Sequence, residues 1–390
     1  MKKYGIVSRS YGNMTIAETA KFMAAHGFNC TELCMSHPDF GGWAYNGISA
    51  LDENGITKEL TKEKADIMRD NGIDVTAFGV FTDNLTPGDD EYRQKSRDAF
   101  VRCMDFAAYA EIKNLSTELG FRPNNKRGLT TEFYESDFQR LKENFIWLGS
   151  AAKERGVNIC IEACVIDIIP SAKRLRDFIW QINKEAGLTN IKVLLDMANF
   201  IANSDEDDAF KYLAPYIAYF HGKDRKVNDC YGRILGEGEI DWVKFFMNYY
   251  RITPDLPFIL EYTNAETTDL TNERVERFTR QAKSNLAFMR YNVQNMGLDF
   301  ERMALNKTAD SQKSPQLVVE LKFIMPETVE DADIIIDLLR QNKTVIMNCE
   351  KLDKESSKSI IDSVIVNITD VRVQQASDKA YVLTPLRESM

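Results

Sequence analysis

Histidine is scarce: the 390 residues contain three, His26, His37 and His221. A cluster of several metal ions held by many imidazoles is therefore excluded, and each histidine has to be accounted for singly. Dense basic runs are absent as well. With 59 acidic against 49 basic residues, a net charge of −10 and a pI near 5.1, the chain lacks the long-range attraction that a nucleic-acid backbone demands, so nucleic acid is not an expected partner. The seven cysteines lie mostly inside apolar segments (Cys160, Cys164, Cys349) without the paired spacing of a metal site. They read as reduced core residues, with Cys30 and Cys34 flanking a strand end. No uninterrupted apolar run approaches membrane-spanning length, and the opening MKKYGIVSRSYGN has neither a secretory core nor a cleavage site. A soluble, cytoplasmic protein without direct membrane insertion is expected. A glycine-rich phosphate fingerprint is missing too: the turn after the first apolar run is SRSYGNM, which argues against an open doubly wound sheet built for dinucleotides.

What the chain does contain is alternation. Short apolar runs appear at 3–9, 28–35, 74–81, 113–119, 157–164, 191–197, 217–223 and 257–263, separated by helix-period segments such as TIAETAKFMAAHG and FQRLKENFIWLGSAAKERG. Several of these close on the glycine expected just past a helix end. Eight strands with a helix after each, in roughly 290 residues, predict an α/β fold of the (β/α)₈ barrel type over residues 1–293. Residues 294–316 lose the apolar period and read as a linker. From 317 to 390 a small α+β unit is expected in the order β-α-β-α-β-β, with Asp353 capping its second helix.

Polar residues interrupt the later runs at their ends: Glu162 closes NICIE, Asp196 closes KVLLD, His221 closes IAYFH and Glu261 closes PFILE. In a parallel barrel these are carboxyl ends of the fifth to eighth strands, so the four side chains converge at one mouth. Three carboxylates gathered in a buried place repel one another unless a cation compensates. Three oxygen donors and one imidazole suit one divalent ion, Mn²⁺ first, with Mg²⁺, Co²⁺ or Zn²⁺ as alternatives. Single carboxylates after apolar runs are usually caps or solvated loop residues; four in succession are harder to dismiss. Further candidates for substrate contact are Glu32 and Glu118, placed at the ends of the second and fourth strands, and His37 and Trp43 in MSHPDFGGWAY. Lys223 and Arg225 are candidates to hold a hydroxyl or phosphate, against the plainer reading of Lys223 and Asp224 as a structural ion pair. His26 stands at a helix end, where it favours the carboxyl-terminal dipole.

The quartet Glu162, Asp196, His221 and Glu261, together with HGKD (221–224) and GEGEIDW (236–242), resembles the xylose isomerase-like barrel superfamily of sugar isomerases and epimerases. The resemblance implies one metal ion held by the four residues. It also implies a ketose or aldose bound through two oxygens, with Glu162 and Glu261 as catalytic groups on opposite sides of the substrate. Many epimerases of that superfamily carry a histidine three residues after the sixth-strand aspartate; Asn199 stands there, able to bind a hydroxyl but not to shuttle a proton. A lyase or dehydratase using the same enediolate chemistry remains open, whereas endonucleases on this barrel need more histidines than the chain owns. Residues 317–387, with VVELKFIMPETVEDADIIIDLLRQNKTVIMNCE and KAYVLTP, resemble the SepF domain of bacterial cell division. That resemblance implies a homodimer or higher homo-oligomer and binding of the tubulin-like protein FtsZ. It also leaves a second reading of the chain, a division-associated scaffold whose barrel does not catalyse. SepF's glycine pair beside its third strand is replaced within VIVNITDVRV.

Overall fold

The parallel strands are short, mostly buried apolar runs, and the fourth, fifth and sixth each end on a carboxylate, Glu118, Glu162 and Asp196. A computed structural model describes residues 1–40, 55–80, 90–119, 131–164, 168–228, 231–295, 321–341, 343–368 and 371–385. Internal contacts divide the chain into Met1–Ser284 and Asn285–Met390.

In the first unit the strands are β1 (Tyr4–Val7), β2 (Cys30–Cys34), β3 (Asp74–Gly79), β4 (Asn114–Glu118), β5 (Asn158–Glu162), β6 (Ile191–Asp196), β7 (Ile217–Gly222) and β8 (Phe258–Leu260). They are parallel and pair in sequence order, and β8 returns to β1 to close the barrel. The helices between and after them are α1 (Ile16–Ala25), α2 (Lys58–Asp70), α3 (Asp90–Tyr109), α4 (Thr131–Glu154), α5 (Ala172–Ala186), α6 (Glu206–Leu213), α7 (Trp242–Ile252) and α8 (Thr268–Asn295). Helix starts are written in the sequence. Thr15 and Glu18 form a reciprocal capping box at α1, and Asp205 and Asp241 accept the amides of Asp208 and Lys244 at α6 and α7. Each such cap contributes about 1 kcal/mol.

The last run stops earlier than its apolar pattern predicts: β8 ends at Leu260, and Tyr262 takes a left-handed backbone, φ 59°. That turn leaves Glu261 at the rim. Outside β7 and β8, Phe220, Trp242, Phe245, Phe246, Tyr249 and Phe258 are buried together in edge and tilted ring pairs. Each buried ring of this kind is worth about 1.5–3 kcal/mol, so the wall carrying His221 and Glu261 is firmly backed. The barrel interior is filled by a small layer of Val7, Cys30, Cys34, Ala77, Cys160, Leu194, Tyr219 and Ile259. Its cysteines are free, and burial pushes the Cys30 thiol up to about 12.

In the second unit, β9 (Leu321–Ile324), α9 (Ala332–Arg340), β10 (Thr344–Asn348), α10 (Lys354–Asn367), β11 (Val371–Ser377) and β12 (Ala380–Pro385) follow the expected order. The sheet runs β11-β12-β10-β9, with β9 and β10 parallel and the other pairs antiparallel. Asp353 caps α10 through the Ser356 amide at 2.7 Å. Ile335, Leu339, Val345, Met347, Ile360, Val364 and Leu383 form its core. Most of the expected linker falls at 296–320, outside the described residues. Among the described residues no helix is long and apolar enough to cross a membrane.

Candidate metal centre

Glu162 is the last residue of β5, Asp196 the last of β6, His221 the fifth of β7, and Glu261 follows β8 directly. All four are buried, and one ligand-type atom from each lies within 4.8 Å of the others. The barrel therefore gathers the quartet at one mouth, with Asp196 and His221 as direct register partners.

The histidine is oriented from below. Its Nε2 lies 3.0 Å from Glu32 Oε2, and the same oxygen accepts the Tyr219 hydroxyl at 2.5 Å. Gly79 makes room for this carboxylate, because a Cβ there would sit 2.5 Å from Glu32 Oε1. In the neutral ring a proton on Nε2 satisfies Glu32 and leaves the Nδ1 lone pair facing the cluster, 3.4 Å from Glu162 Oε1 and 3.5 Å from Glu261 Oε2. Nδ1 is buried and has no hydrogen-bond partner. An unpartnered imidazole nitrogen aimed among carboxylates, backed by a carboxylate on its other nitrogen, is the arrangement that holds a ligand histidine for a divalent ion. The donor set thus fits the expected group.

Two cations also enter the cluster. Lys223 Nζ lies 2.6 Å from Asp196 Oδ2, 2.7 Å from Glu261 Oε2 and 3.8 Å from Glu162 Oε1, and Arg9 pairs with Glu261 Oε1. Burial works against ionising Glu261, but Lys223, Arg9 and His221 prevail and hold its carboxyl well below the usual range. Glu162 is lowered on the same balance, with Lys223 and His221 outweighing burial. Burial opposes charge on His221 and Lys223, yet the surrounding carboxylates raise both well above their ordinary values. Asp196 goes the other way: enclosure, with Glu162 and Glu261 beside it, pushes it up to about 7. Asn199 donates to Glu162 Oε1 at 3.0 Å, so it is a brace for a ligand carboxylate. Glu118 pairs in register with Glu162, and burial followed by the Glu162 charge pushes it up to about 7.

Other residues singled out in the sequence are placed differently. Glu32, expected at a strand end and in reach of substrate, is the middle residue of a fully buried β2 and faces His221 and Tyr219 inside the barrel. The run continues to Cys34, which moves Glu32 one layer below the rim. Asp224 does not pair with Lys223. Fully buried, it accepts the amides of Arg225, Gly236 and Ile240 and the Trp242 indole N–H, tying GEGEIDW to the end of β7. Arg225 joins that loop through its backbone, its carbonyl accepting the Glu239 amide. His37 is buried beyond β2, its Nδ1 accepting the Asp39 amide at 3.1 Å. His26 caps α1, stacked on Phe22 with Nδ1 2.8 Å from the Phe22 carbonyl. Trp43 lies outside the described residues. Two participants were missed, Arg9 and Tyr219. Arg9 follows β1, where the strand-end rule that found the quartet applies equally, and Tyr219 shares the inward face of β7 with His221 by the period of two.

Comparison with known proteins bears on both units. Residues 20–290 match the family described as xylose isomerase-like TIM barrel, and residues 321–386 match cell division protein SepF. Among solved structures, the chain is similar to D-psicose 3-epimerase with D-tagatose from Clostridium cellulolyticum H10 (19% identity, 74% of this chain and 98% of that one, TM-score 0.52). It is also similar to IOLI protein with a bound zinc atom (14%, 73% and 97%, TM-score 0.54). A third is AsbF, a probable 3-DHS dehydratase from Bacillus anthracis (14%, 71% and 98%, TM-score 0.52). At these identities the likeness is one of fold. No curated protein matches the chain.

Proposed function

Since the chain belongs to the xylose isomerase-like TIM barrel family, we propose that it is a divalent-metal-dependent sugar or sugar phosphate isomerase or epimerase working by proton transfer through an enediolate. The observation that carries this reading is the meeting of Glu162, Asp196, His221 and Glu261 within 4.8 Å, with His221 Nδ1 unpartnered among the carboxylates. These four residues would hold the ion, Mn²⁺ by first choice for this donor set, which supplies an electrophile for developing oxyanion charge.

The remaining chemistry belongs to the side chains. Glu162 on β5 and Glu261 after β8 stand on separate sectors of the mouth. One takes the proton beside a carbonyl and the other returns it, to the same carbon for epimerisation or to the neighbouring carbon for isomerisation. Asn199 holds Glu162 by one oxygen, and Arg9 and Lys223 hold Glu261 by its two, so neither has to be ordered when substrate arrives. The charge of Lys223 beside both glutamates favours their ionised form, as a proton acceptor requires. Glu118, Lys223 and Arg225 are the proposed substrate contacts. Loss of a hydroxyl after the same abstraction would make the enzyme a lyase, a reading favoured by the fold shared with AsbF.

The second unit is proposed to hold copies of the chain together, and its match to SepF supports FtsZ as a further partner. Wash-in of deuterium from D₂O across ketoses and their phosphates tests the catalytic reading. Exchange by the native chain and none by Glu162→Gln or Glu261→Gln is expected. No exchange with any sugar would leave the scaffold reading instead, and formation of a dehydrated product would favour the lyase.

A further inference from the structure

We propose that Lys223 is a built-in counter-cation of the carboxylate cage that a divalent ion has to displace, and that the exposed ring of Tyr262 is the station to which its ammonium withdraws. The proposal rests on the metal reading above and concerns what sets the strength of that site. Its ground is the position of Nζ. The ammonium reaches 2.6 Å from Asp196 Oδ2 and 2.7 Å from Glu261 Oε2, and both residues supply ligand-type atoms. An ion bound at the usual oxygen distance of about 2.0–2.2 Å from those carboxylates would lie within on the order of 3–4 Å of Nζ. Two cations at that separation, with little water between them, repel strongly. One cage thus offers the same carboxylates to two occupants, one tethered to β7 and one drawn from solution.

The ring that would receive the ammonium is already beside it, at the same position from which Nζ reaches the carboxylates. Nζ lies 5.2 Å from the centroid of the Tyr262 ring, a cation–π distance. That ring is 54% exposed, so it stands on the solvent side of the cage. Its placement depends on two features that sequence alone would not join. Tyr262 is held in the left-handed region at φ 59°, uncommon for a bulky residue, and its ring fills the space over Gly232, where a Cβ would come within 2.6 Å of the ring. Backbone strain at a non-glycine residue persists where its surroundings enforce it, and it gathers at functional sites. Here it aims an aromatic face at a buried ammonium. The lysine can therefore leave the carboxylates while keeping its aromatic neighbour.

The test is the affinity of the full chain for Mn²⁺ and Co²⁺, measured by competition with a chelator and by the visible absorption of bound Co²⁺, with no substrate or turnover involved. Lys223→Met removes the competitor, so binding should tighten about tenfold or more, the usual scale of coupling between two occupants of linked sites. The chelator-treated variant should also melt below the native chain, because its carboxylates have lost their counter-cation. Tyr262→Ala should weaken ion binding several-fold, because Lys223 loses the ring it withdraws to, and its chelator-treated melting temperature, which also registers the lost contacts with Lys223 and Gly232, serves as the control for folding. Affinities for both variants within about twofold of native, a difference on the scale of thermal energy, would overturn the proposal while leaving the metal site standing. Uptake of neither ion by any of the three proteins would instead overturn the metal reading itself, and this inference with it.

Discussion

The two units bury different chemistry. The barrel encloses Glu32, Glu162, Asp196, His221, Lys223, Asp224 and Glu261, whereas the buried polar residues described in the second unit are Thr344 and Ser357, both neutral. Outside, both units present apolar side chains, the barrel exposing Trp180 at 50% and Tyr231 at 71%. The small unit exposes Phe323, Met325, Ile334, Ile365 and Val366, with Phe323 at 76% and Val366 at 81%. Enclosing a set of ionisable groups opposes folding unless they pair with one another or with a ligand. One unit encloses a charged cluster and the other a neutral core, so changes in one should leave the other's behaviour alone.

The largest expected break in that comparison comes from Asp224→Ala. It would strand the amides of Gly236 and Ile240 and the Trp242 indole, now satisfied by one buried carboxylate. At about 1–3 kcal/mol for each unsatisfied buried group, a loss of about 3 kcal/mol or more in denaturant-measured stability is expected. A loss under 1 kcal/mol would show that water replaces the carboxylate at little cost. Glu32→Gln comes next. The residue touches no ion, yet its removal frees the His221 ring, and divalent-ion affinity should fall about 10–100-fold as for other supports of a ligand histidine. Unchanged affinity would reduce Glu32 to a packing residue.

How much of this was legible in the chain is decided by a few positions. The barrel and its quartet could be read because the strands are buried runs and β5 to β8 carry a polar residue at or beside their carboxyl ends, a pattern that survives without knowledge of distant neighbours. Asp353 was legible as a cap for the same local reason. Glu32 was misplaced by that rule, since an apolar run that continues past its carboxylate does not announce where the rim lies. Lys223 and Asp224 do not form the ion pair of the plainer reading. An ion pair between sequence neighbours ignores the strand period, which sends adjacent side chains to opposite faces: Lys223 joins His221 over the mouth, and Asp224 turns to GEGEIDW. The left-handed turn at Tyr262 had no signal, because no residue type announces strain that tertiary packing enforces.

Smaller effects sharpen the contrast further. Glu118 is raised from 4.5 to about 7 by burial and by Glu162. A raised folded-state value means a contribution to stability that is full below about 4.5 and is lost as pH climbs through about 7. In chelator-treated protein, Glu118→Gln should therefore match the native melting temperature at acidic pH and exceed it at mildly alkaline pH. A difference that stays constant with pH would contradict the assignment. Least of all should the barrel notice Phe323→Ser or Val366→Ser. Exposed substitutions usually change stability by no more than about 0.5 kcal/mol, and divalent-ion uptake should be unmoved, while light-scattering mass shifts toward the monomer. Loss of ion uptake in either variant would join the two units functionally and end the division of labour drawn between them.

Elemental analysis of the full chain after reconstitution with Mn²⁺ or Co²⁺ and removal of free ion tests the central claim most directly, run beside His221→Ala. About one ion per native chain and far less in the variant is the predicted result. A native chain that retains no ion, or a variant that retains as much as the native one, would contradict a metal centre built on the ends of β5 to β8.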